Sequence, residues 1–407
     1  MIPLELGALE GLGDLHARDD QVTGVRIDSR LVVPGDLFVA VGRGVEFQDD
    51  ALARGAVATL VPADPFGALA AIGRAVRERS EARVVAITGS MGKTSTKDIL
   101  YALCRRSART VAAEASFNNE IGVPLTLCRL EPDTEVCIVE LAMRGFGQIA
   151  ELCEIAQPHI GAITNVGPVH LELVDSIEGV VRAKGELIAA LPEGGAAVVP
   201  ADFPVTRTDI EVTRVGAPDA HVADNRTELD GVSFNFTARH QAQNAAVALA
   251  VLDALSLPRP QRVDVDFARW RGEERELSGG GILINDSYNA NPISMRAALE
   301  YLTERAEGRR RVAILGDMAE LGRTGPDFHR EVGAAAAALG VDEVLAVGES
   351  ARLYLEAGVT GRWVANVHEA LRSLDDVVRP GDAVLVKASR AVGLEAIADE
   401  LSRVATA

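Results

Sequence analysis

The chain has 407 residues, of which 48% are hydrophobic, and its 41 basic and 59 acidic side chains give a formal net charge of −18. This length fits about two to four domains with buried cores. The negative charge argues against duplex nucleic acid and anionic membranes as partners, because both repel an acidic surface. We find no apolar segment as long as a membrane helix and no signal-peptide layout at the N-terminus. Four cysteines without paired spacing are expected to be reduced core residues of a cytoplasmic protein: Cys104, Cys128, Cys137 and Cys153.

Residues 1–78 are predicted to form a small α/β domain. A strand-like run at 25–30 leads into a polar turn, and a second run follows at 37–41. Residues 51–61 supply a short helix, a glycine stop and another strand, and a helix is predicted over 68–79. Short strands that alternate with helices indicate a compact α/β domain.

The segment 82–100, ARVVAITGSMGKTSTKDIL, joins a β-branched strand to a helix through a glycine turn. Gly89 and Gly92 let the backbone approach an anion, the helix N-terminus points its N–H groups at it, and Lys93 adds a positive charge. Thr94 or Ser95 offers a hydroxyl to Mg²⁺. This order of elements predicts a phosphate site. Only two residues separate the glycines, against four in the general P-loop, so an ordinary strand-to-helix turn is the alternative.

Residues 79–268 are predicted to form a central domain with a parallel sheet. A polar turn at 117–124 precedes a helix over 125–130. Strands at 136–141 and 159–165 alternate with helices, and the amphipathic helix 177–191 follows. Ligands bind at the carboxyl ends of parallel strands, where Glu140 and His170 fall.

Residues 269–407 are predicted to form a second, Rossmann-like sheet. A strand at 281–286 runs into Ser287-Tyr288-Asn289-Ala290-Asn291-Pro292, and a helix starts at the proline. Strands at 311–317, 343–348 and 383–387 continue the alternation. The fold class is therefore α/β in three domains, with a central parallel-sheet P-loop domain and a C-terminal Rossmann-like domain.

Several motifs in chain order together resemble the Mur ligases, the ATP-dependent amide-bond-forming enzymes of cell-wall precursor synthesis. They are VRIDSR, ITGSMGKTSTK, FNNEIGVPLTL, ITNVGPVHLE, RAKGEL, DSYNANPISM, ILGDMAELG and VLVKASR, and they span nearly the whole chain. The short glycine spacing is the form of the phosphate loop in this family. The YNANP segment is typical of the branch that adds D-alanyl-D-alanine.

The resemblance implies a two-step ligation in the cytoplasm, with ATP and Mg²⁺. The carboxylate of UDP-N-acetylmuramoyl-tripeptide attacks ATP to give an acyl phosphate, and the amine of D-alanyl-D-alanine then displaces phosphate. This reaction belongs to peptidoglycan synthesis and so supports cell shape and division. We expect a monomer that binds these small molecules and neither binds nucleic acid nor inserts into a membrane.

The resemblance also implies roles for single residues. Lys93, Lys184 and His170 are the expected catalytic residues, with Lys184 carbamylated so that its new carboxylate supports a metal. The nucleotide is expected at Gly89, Ser90, Gly92, Lys93, Thr94, Ser95, Asn244 (adenine), Arg271 (phosphates) and Asp286 (ribose). The substrates are expected at Ser29, Arg30, Asn118, Asn119, Tyr288, Asn289 and Asn291. The metal ligands are expected to be Thr94, Ser95, Glu140, His170 and Lys184.

Five of these residues also have a plain structural interpretation. Glu140 could be a solvated carboxylate, His170 a loop histidine, Lys184 a surface lysine, Asn244 a partner within its helix and Asp286 a helix cap. Two departures from the family pattern bear on function. The domain that normally holds the UDP group is shortened, with GRGVEFQDDALARGA after its second strand, and Trp270 stands where a glycine usually precedes the arginine. The alternatives are therefore a related ligase for another carboxylate, or a nucleotide-binding protein without turnover.

Overall fold

The computed structural model describes residues 1–169 and 171–405. The chain divides into two compact units. The first, the N-terminal unit, comprises Met1–Asn165, Val181–Thr237 and Gln241–Asp266. The second, the C-terminal unit, comprises Val166–Val180, Ala238–His240 and Phe267–Ala407. The N-terminal unit contains the first predicted domain and most of the second, whereas Val166–Val180 and Ala238–His240 of the second fall in the C-terminal unit. The predicted boundary near residue 79 stays a prediction.

The first part of the N-terminal unit is a four-stranded sheet in the order β2-β6-β5-β4, with β1 and β3 paired beside it. Its elements are β1 Leu4–Glu5, β2 Gly13–Ala17, β3 Gln21–Val22, β4 Gly24–Arg26, β5 Asp36–Val39, α1 Gln48–Ala53, β6 Ala58–Pro62 and α2 Pro65–Arg77. The strand predicted over 25–30 ends early, because Asp28 caps a 3₁₀ turn at Ser29–Leu31. Asp64 caps α2 in the same way, followed by a proline at the first helical position.

The central sheet has six parallel strands in the order β12-β11-β10-β7-β9-β8. Its segment of the chain contains β7 Arg83–Thr88, α3 Lys93–Cys104, β8 Thr110–Ala112, α4 Gly122–Leu127, β9 Val136–Glu140, α5 Gln148–Ala156, β10 Ile160–Ile163, α6 Leu171–Val174, α7 Ile177–Ala189, β11 Ala196–Pro200 and β12 Glu211–Val215. Strands β9 and β10 are buried along their whole length, as expected for a parallel sheet covered on both faces.

One helix of this region departs from the sequence prediction. Helix α4 begins three residues earlier than the predicted 125–130, because the side chain of Asn119 accepts hydrogen bonds from the amides of Ile121 and Gly122. Pro124 is tolerated there because the first turn of a helix has no bond for it to break.

A small sheet follows, with β13 His221–Ala223, β14 Arg226–Leu229, β15 Val232–Phe234, α8 Arg239–Ala254 and β16 Arg262–Val263.

The C-terminal sheet has the order β17-β18-β22-β19-β20-β21, in which only the β17–β18 pair is antiparallel. Its elements are β17 Glu273–Leu277, β18 Gly281–Asn285, α9 Pro292–Ala306, β19 Arg311–Gly316, α10 Gly325–Ala338, β20 Glu343–Val347, β21 Gly361–Val364, α11 Val367–Arg372, α12 Leu374–Val377, β22 Ala383–Lys387 and α13 Glu395–Ala405. Separate hydrophobic clusters cover the two faces of this sheet. The predicted Rossmann-like architecture is therefore confirmed.

The four cysteines are buried thiols, and burial raises the pKa of each to about 12. This agrees with their prediction as reduced core residues. Among the described residues, every helix falls short of the length and apolarity needed to span a membrane.

Candidate functional site

The turn between β7 and α3 has the shape of a phosphate cradle. Gly92 caps α3 in the left-handed region, with φ of 77°, and a Cβ there would lie 2.2 Å from Oδ1 of Asn244. Gly89 has φ of 151°, and a Cβ there would lie 1.9 Å from Oγ1 of Thr164. Both positions therefore require glycine for conformation and for space. The turn places main-chain N–H groups at a helix N-terminus, which is an anion site.

Two residues that the sequence did not single out, Thr164 and Asn165, hold this turn in place. Asn165 accepts hydrogen bonds from the amide of Met91 at its side chain (2.9 Å) and from the amide of Ser90 at its carbonyl (3.1 Å). Thr164 donates from its hydroxyl to the carbonyl of Met91 at 2.5 Å. The ITN motif at the end of β10 was visible in the sequence, but its contact with a loop more than 70 residues away was not.

Lys93 folds back over the turn that precedes it. Its Nζ donates to the carbonyl of Gly89 at 2.8 Å, across one turn of the chain. The ammonium group is therefore held at the mouth of the glycine turn, where it supplies positive charge to an anion bound by the main-chain amides.

Glu140 is a buried carboxylate with a defined partner on each oxygen. It is 1% exposed at the end of β9, which makes the solvated alternative wrong. Thr94 donates from its hydroxyl to Oε2 at 2.7 Å, and Asn118 donates from its amide to Oε1 at 2.8 Å. Ser95, the other candidate hydroxyl, lies instead 3.5 Å from the side-chain amide of Gln241. The structure thus places Thr94 with the carboxylate.

Lys184 is 2% exposed, so the surface-lysine alternative is wrong. Burial, together with the positive charge of Lys93, lowers the pKa of its amine well below the ordinary value. A lysine with a depressed pKa has a larger neutral, nucleophilic fraction. Such an amine is suited to react with CO₂, in line with the predicted carbamate. His170, the other expected catalytic residue, lies outside the described residues.

Asn244 and Asn119 lie near the predicted site but make contacts of their own. Asn244 donates to Oε1 of Gln241, three residues earlier in α8, at 2.9 Å, while its own Oδ1 faces the position of Gly92. The within-helix alternative for Asn244 is therefore correct as far as its described hydrogen bond goes. Asn119 caps α4. Their predicted roles toward nucleotide and substrate stay predictions.

Ser29 and Arg30 lie in the four-stranded sheet region. Ser29 is 6% exposed, whereas the side chain of Arg30 is 79% exposed and pairs with Asp28 at 2.6 Å. This hydrogen-bonded pairing lowers the pKa of Asp28 to about 2. The guanidinium is accessible to an anionic ligand, which would compete with Asp28 for it.

In the C-terminal unit, the ends of β18 and β22 bring Asp286 and Lys387 together. Nζ of Lys387 lies 2.5 Å from Oδ2 of Asp286 and donates to the carbonyl of Asn289 at 2.9 Å. Asp286 is therefore an ion-pair partner and not a helix cap. The cap of α9 is Asn291, which forms a capping box with Ser294. Lys387 stands in the VLVKASR motif, but the sequence carried no sign of its partner.

Arginine and aromatic side chains stack beside this pair. The guanidinium of Arg271 lies 4.0 Å from the centre of the Tyr288 ring, and that of Arg390 lies 4.4 Å from the Trp270 ring. Trp270 itself has φ of 63°, in the region that favours glycine. This conformation explains why glycine suits the position, and the stacking on Arg390 offsets part of the strain.

A metal site here must draw on few protein ligands. Within residues 1–169 and 171–405, no three His, Cys, Asp or Glu side chains converge on one point. Mg²⁺ does not need three protein side chains, because it binds through one or two carboxylates together with substrate phosphates and water. The hydroxyl of Thr94 and the carboxylate of Glu140 are oxygen ligands of the kind it prefers, so this pair fits the ion.

Comparison with known proteins gives full-length matches. The Mur ligase middle domain matches residues 87–252, and the Mur ligase glutamate ligase domain matches residues 270–390. UDP-N-acetylmuramoyl-tripeptide–D-alanyl-D-alanine ligase from Synechocystis is 34% identical, over 95% of this chain and 93% of the relative. The Escherichia coli protein of the same name is 32% identical, over 98% of both chains.

Solved structures show the same likeness. A crystal structure of MurF from Acinetobacter baumannii superposes with a TM-score of 0.85 at 27% identity, covering 98% of this chain and 99% of that one. MurF ligase from Thermotoga maritima in complex with ADP gives 0.78 at 28% identity, covering 94% and 98%.

Proposed function

The chain belongs to the Mur ligase family, and we propose that it is the ATP-dependent ligase that adds D-alanyl-D-alanine to UDP-N-acetylmuramoyl-tripeptide in peptidoglycan synthesis. Relatives named for this reaction match over nearly their full length. The observation that carries the proposal is the pair of hydrogen bonds from Thr94 and Asn118 to the buried Glu140. Because Thr94 follows the glycine turn, these bonds connect an anion cradle to a carboxylate of the kind that binds Mg²⁺.

ATP is expected to bind with its phosphates on the glycine turn. The amides of the turn and the ammonium of Lys93 neutralise phosphate charge, so the γ-phosphorus is exposed to attack. Thr94 and Glu140 would hold Mg²⁺, which when bound would supply further neutralisation of the phosphate charge. Lys184, as a carbamate, and His170 are proposed to support a second ion. The nucleotide contacts of Ser90, Ser95, Asn244, Arg271 and Asp286 are part of this proposal.

The reaction forms one bond and breaks one bond in each of two steps. A carboxylate oxygen of the tripeptide attacks the γ-phosphorus, and the bond to ADP breaks, leaving an acyl phosphate. The amine of D-alanyl-D-alanine then attacks the acyl carbon, loses a proton, and inorganic phosphate departs. Preorganised charge and positioning supply most of the catalysis in phosphoryl transfer, which suits a site built from a lysine, main-chain amides and fixed carboxylates.

The substrate contacts remain proposals. Ser29 and Arg30 are proposed to hold the diphosphate of the UDP group, and Tyr288, Asn289 and Asn291 the D-alanyl-D-alanine. Asn118 and Asn119 are proposed to orient the tripeptide near the nucleotide. Because ATP and both substrates are metabolites of the cytoplasm, we propose that the enzyme acts there. We also propose that it is a monomer.

An omission experiment tests the function. Phosphate release from ATP is measured with UDP-N-acetylmuramoyl-tripeptide and D-alanyl-D-alanine, and each substrate is left out in turn. We expect release only when both are present, with the coupled product found by mass spectrometry. Release that does not need the tripeptide, or a complete mixture that forms no coupled product, would contradict the proposal.

Lys93→Ala tests the phosphate site within the same assay. It should abolish ligation, because the ammonium is lost from the phosphate cradle, and leave the circular dichroism spectrum unchanged, because alanine is a good helix former at the start of α3. Turnover at the wild-type rate in this variant would rule out the phosphate-loop assignment.

A further inference from the structure

Lys97 is a second buried lysine on α3, one helical turn beyond Lys93. It is 3% exposed. Its Nζ donates to the carbonyls of Ala113 and Ala115, each at 2.8 Å, and lies 2.9 Å from Oδ1 of Asp98. An ammonium has three N–H donors, so each has an acceptor. Burial of such a group is tolerated only with this pairing, and the geometry therefore ties α3 firmly to the backbone at residues 113–115.

The tied backbone makes a strained turn. Ala115 has φ of 45°, in the left-handed region that alanine rarely adopts. The turn lies between β8 and Asn118, and the carbonyl that Lys97 holds belongs to the strained residue itself. A non-glycine residue keeps such a conformation only where its surroundings fix it, and Lys97 provides that constraint.

The same turn delivers Asn118 to Glu140. The carbonyl of Asn118 accepts a hydrogen bond from the amide of Ala142 at 2.8 Å, just after β9. Its side chain donates to Oε1 of Glu140, while Thr94 on α3 donates to Oε2. The carboxylate is therefore oriented from two sides, by α3 and by the turn. Lys97 connects these two elements through its hydrogen bonds to the carbonyls of Ala113 and Ala115.

We propose that Lys97 is a positioning residue for Glu140, which it orients through the 113–118 turn and Asn118. The inference rests on the proposed function, since Glu140 gains its importance as a metal ligand there. Residues behind a metal ligand fix its orientation, and their loss weakens metal binding although they never touch the ion.

Lys97→Met tests this proposal with two kinds of measurement, enzyme kinetics and hydrogen exchange. The Mg²⁺ concentration for half-maximal phosphate release should rise about tenfold. The KM for D-alanyl-D-alanine should stay within about twofold, since that contact is not involved. Independently of activity, hydrogen exchange at the amide of Ala142 should become about tenfold faster, because its acceptor on Asn118 is no longer held. Lys97→Gln keeps two N–H donors and should give smaller changes of both kinds, so it carries the test if the methionine variant does not fold.

Arg77→Met is the matched control in the same unit. Arg77 is 7% exposed and donates to the carbonyls of Ser80, Ala156 and Gln157. Ser80 lies shortly before the start of β7, at the amino-terminal end of that strand. Its loss should lower stability but leave the Mg²⁺ requirement and the Ala142 exchange unchanged. If Arg77→Met shifts the Mg²⁺ requirement as Lys97→Met does, the effect is general destabilisation and the proposal fails.

The proposed ligase function and the positioning role of Lys97 can be contradicted separately. If the wild type does not couple the two substrates, the proposed function fails. If the wild type is active and the Lys97 variants keep its Mg²⁺ requirement and its slow exchange at Ala142, the positioning role fails and the function stands.

Discussion

Lys184 in the N-terminal unit and Lys387 in the C-terminal unit are both 2% exposed, but they have different surroundings. Burial lowers the pKa of Lys184, and repulsion by the ammonium of Lys93 lowers it further. Lys387 instead lies 2.5 Å from a carboxylate oxygen of Asp286 and also donates to a main-chain carbonyl. Burial alone therefore does not decide what a lysine does. The sign of the neighbouring charge favours the neutral amine at Lys184 and an ion pair at Lys387.

The largest expected effect is on activity, through Lys184→Arg. A guanidinium stays charged and cannot form the carbamate, so phosphate release should fall by about 100-fold. The wild type should also lose activity in CO₂-free buffer and regain it with bicarbonate, and the arginine variant should not respond.

Lys387→Arg is the control for this response, because it keeps a cation at the other buried site. Its activity should still depend on bicarbonate. A fully active Lys184→Arg enzyme would remove the proposed difference between the two lysines.

The next effect is on stability. Lys387→Met leaves Asp286 without its cation and should cost the C-terminal unit about 3 kcal/mol of unfolding free energy. Both tryptophans, Trp270 and Trp363, lie in this unit, so urea unfolding followed by tryptophan fluorescence reports on it alone. Adding Asp286→Asn to Lys387→Met should recover part of the loss, because the unpaired charge is removed. No recovery would mean that packing, and not the ion pair, accounts for the role of Lys387.

The lowered pKa of Lys184 makes the stability of the protein depend on pH. Below about pH 10.4 the Lys184 amine of the unfolded chain takes up a proton. The buried amine stays neutral down to its lower pKa. Between these two values the unfolded state binds more protons, so Lys184 makes stability rise with pH by up to about 1.4 kcal/mol per unit.

Relative to Lys184→Met, the wild type should therefore gain stability in CO₂-free buffer as the pH rises toward the ordinary pKa of lysine. Hydrogen exchange in β7, corrected for the intrinsic effect of pH, measures this difference. A difference that is flat or falls with pH would show that the amine is protonated in the folded state.

The smallest effect concerns the helix that follows the Lys387 site. Asn291→Ala removes one half of the capping box of α9 and should cost the C-terminal unit about 1 kcal/mol by the same fluorescence assay. Asn366→Ala removes the cap of the short helix α11, and because Asn366 is exposed to solvent the loss should be smaller. Equal losses would argue that the buried box adds nothing beyond an ordinary cap.

The sequence by itself determined the features that depend on neighbours in the chain. The glycine turn, Lys93 and the start of α3 follow each other directly, so their order was enough to predict a phosphate cradle. The alternation of buried strands and helices predicted the central parallel sheet and the Rossmann-like sheet in the same way, because periodicity and chain order are local properties. The family motifs then identified which acidic, amide and lysine side chains to consider.

Only the tertiary structure decided how those side chains are paired. Lys387 meets Asp286 across 101 residues of sequence, and Thr94 meets Glu140 across 46, because neighbouring parallel strands end at the same edge of a sheet. Lys184 looked like a surface residue on an amphipathic helix, and its burial depends on what packs over that helix. Charge state and orientation are set by such distant contacts, and for that reason the sequence could name the candidate residues but not the environment that gives each of them its chemistry.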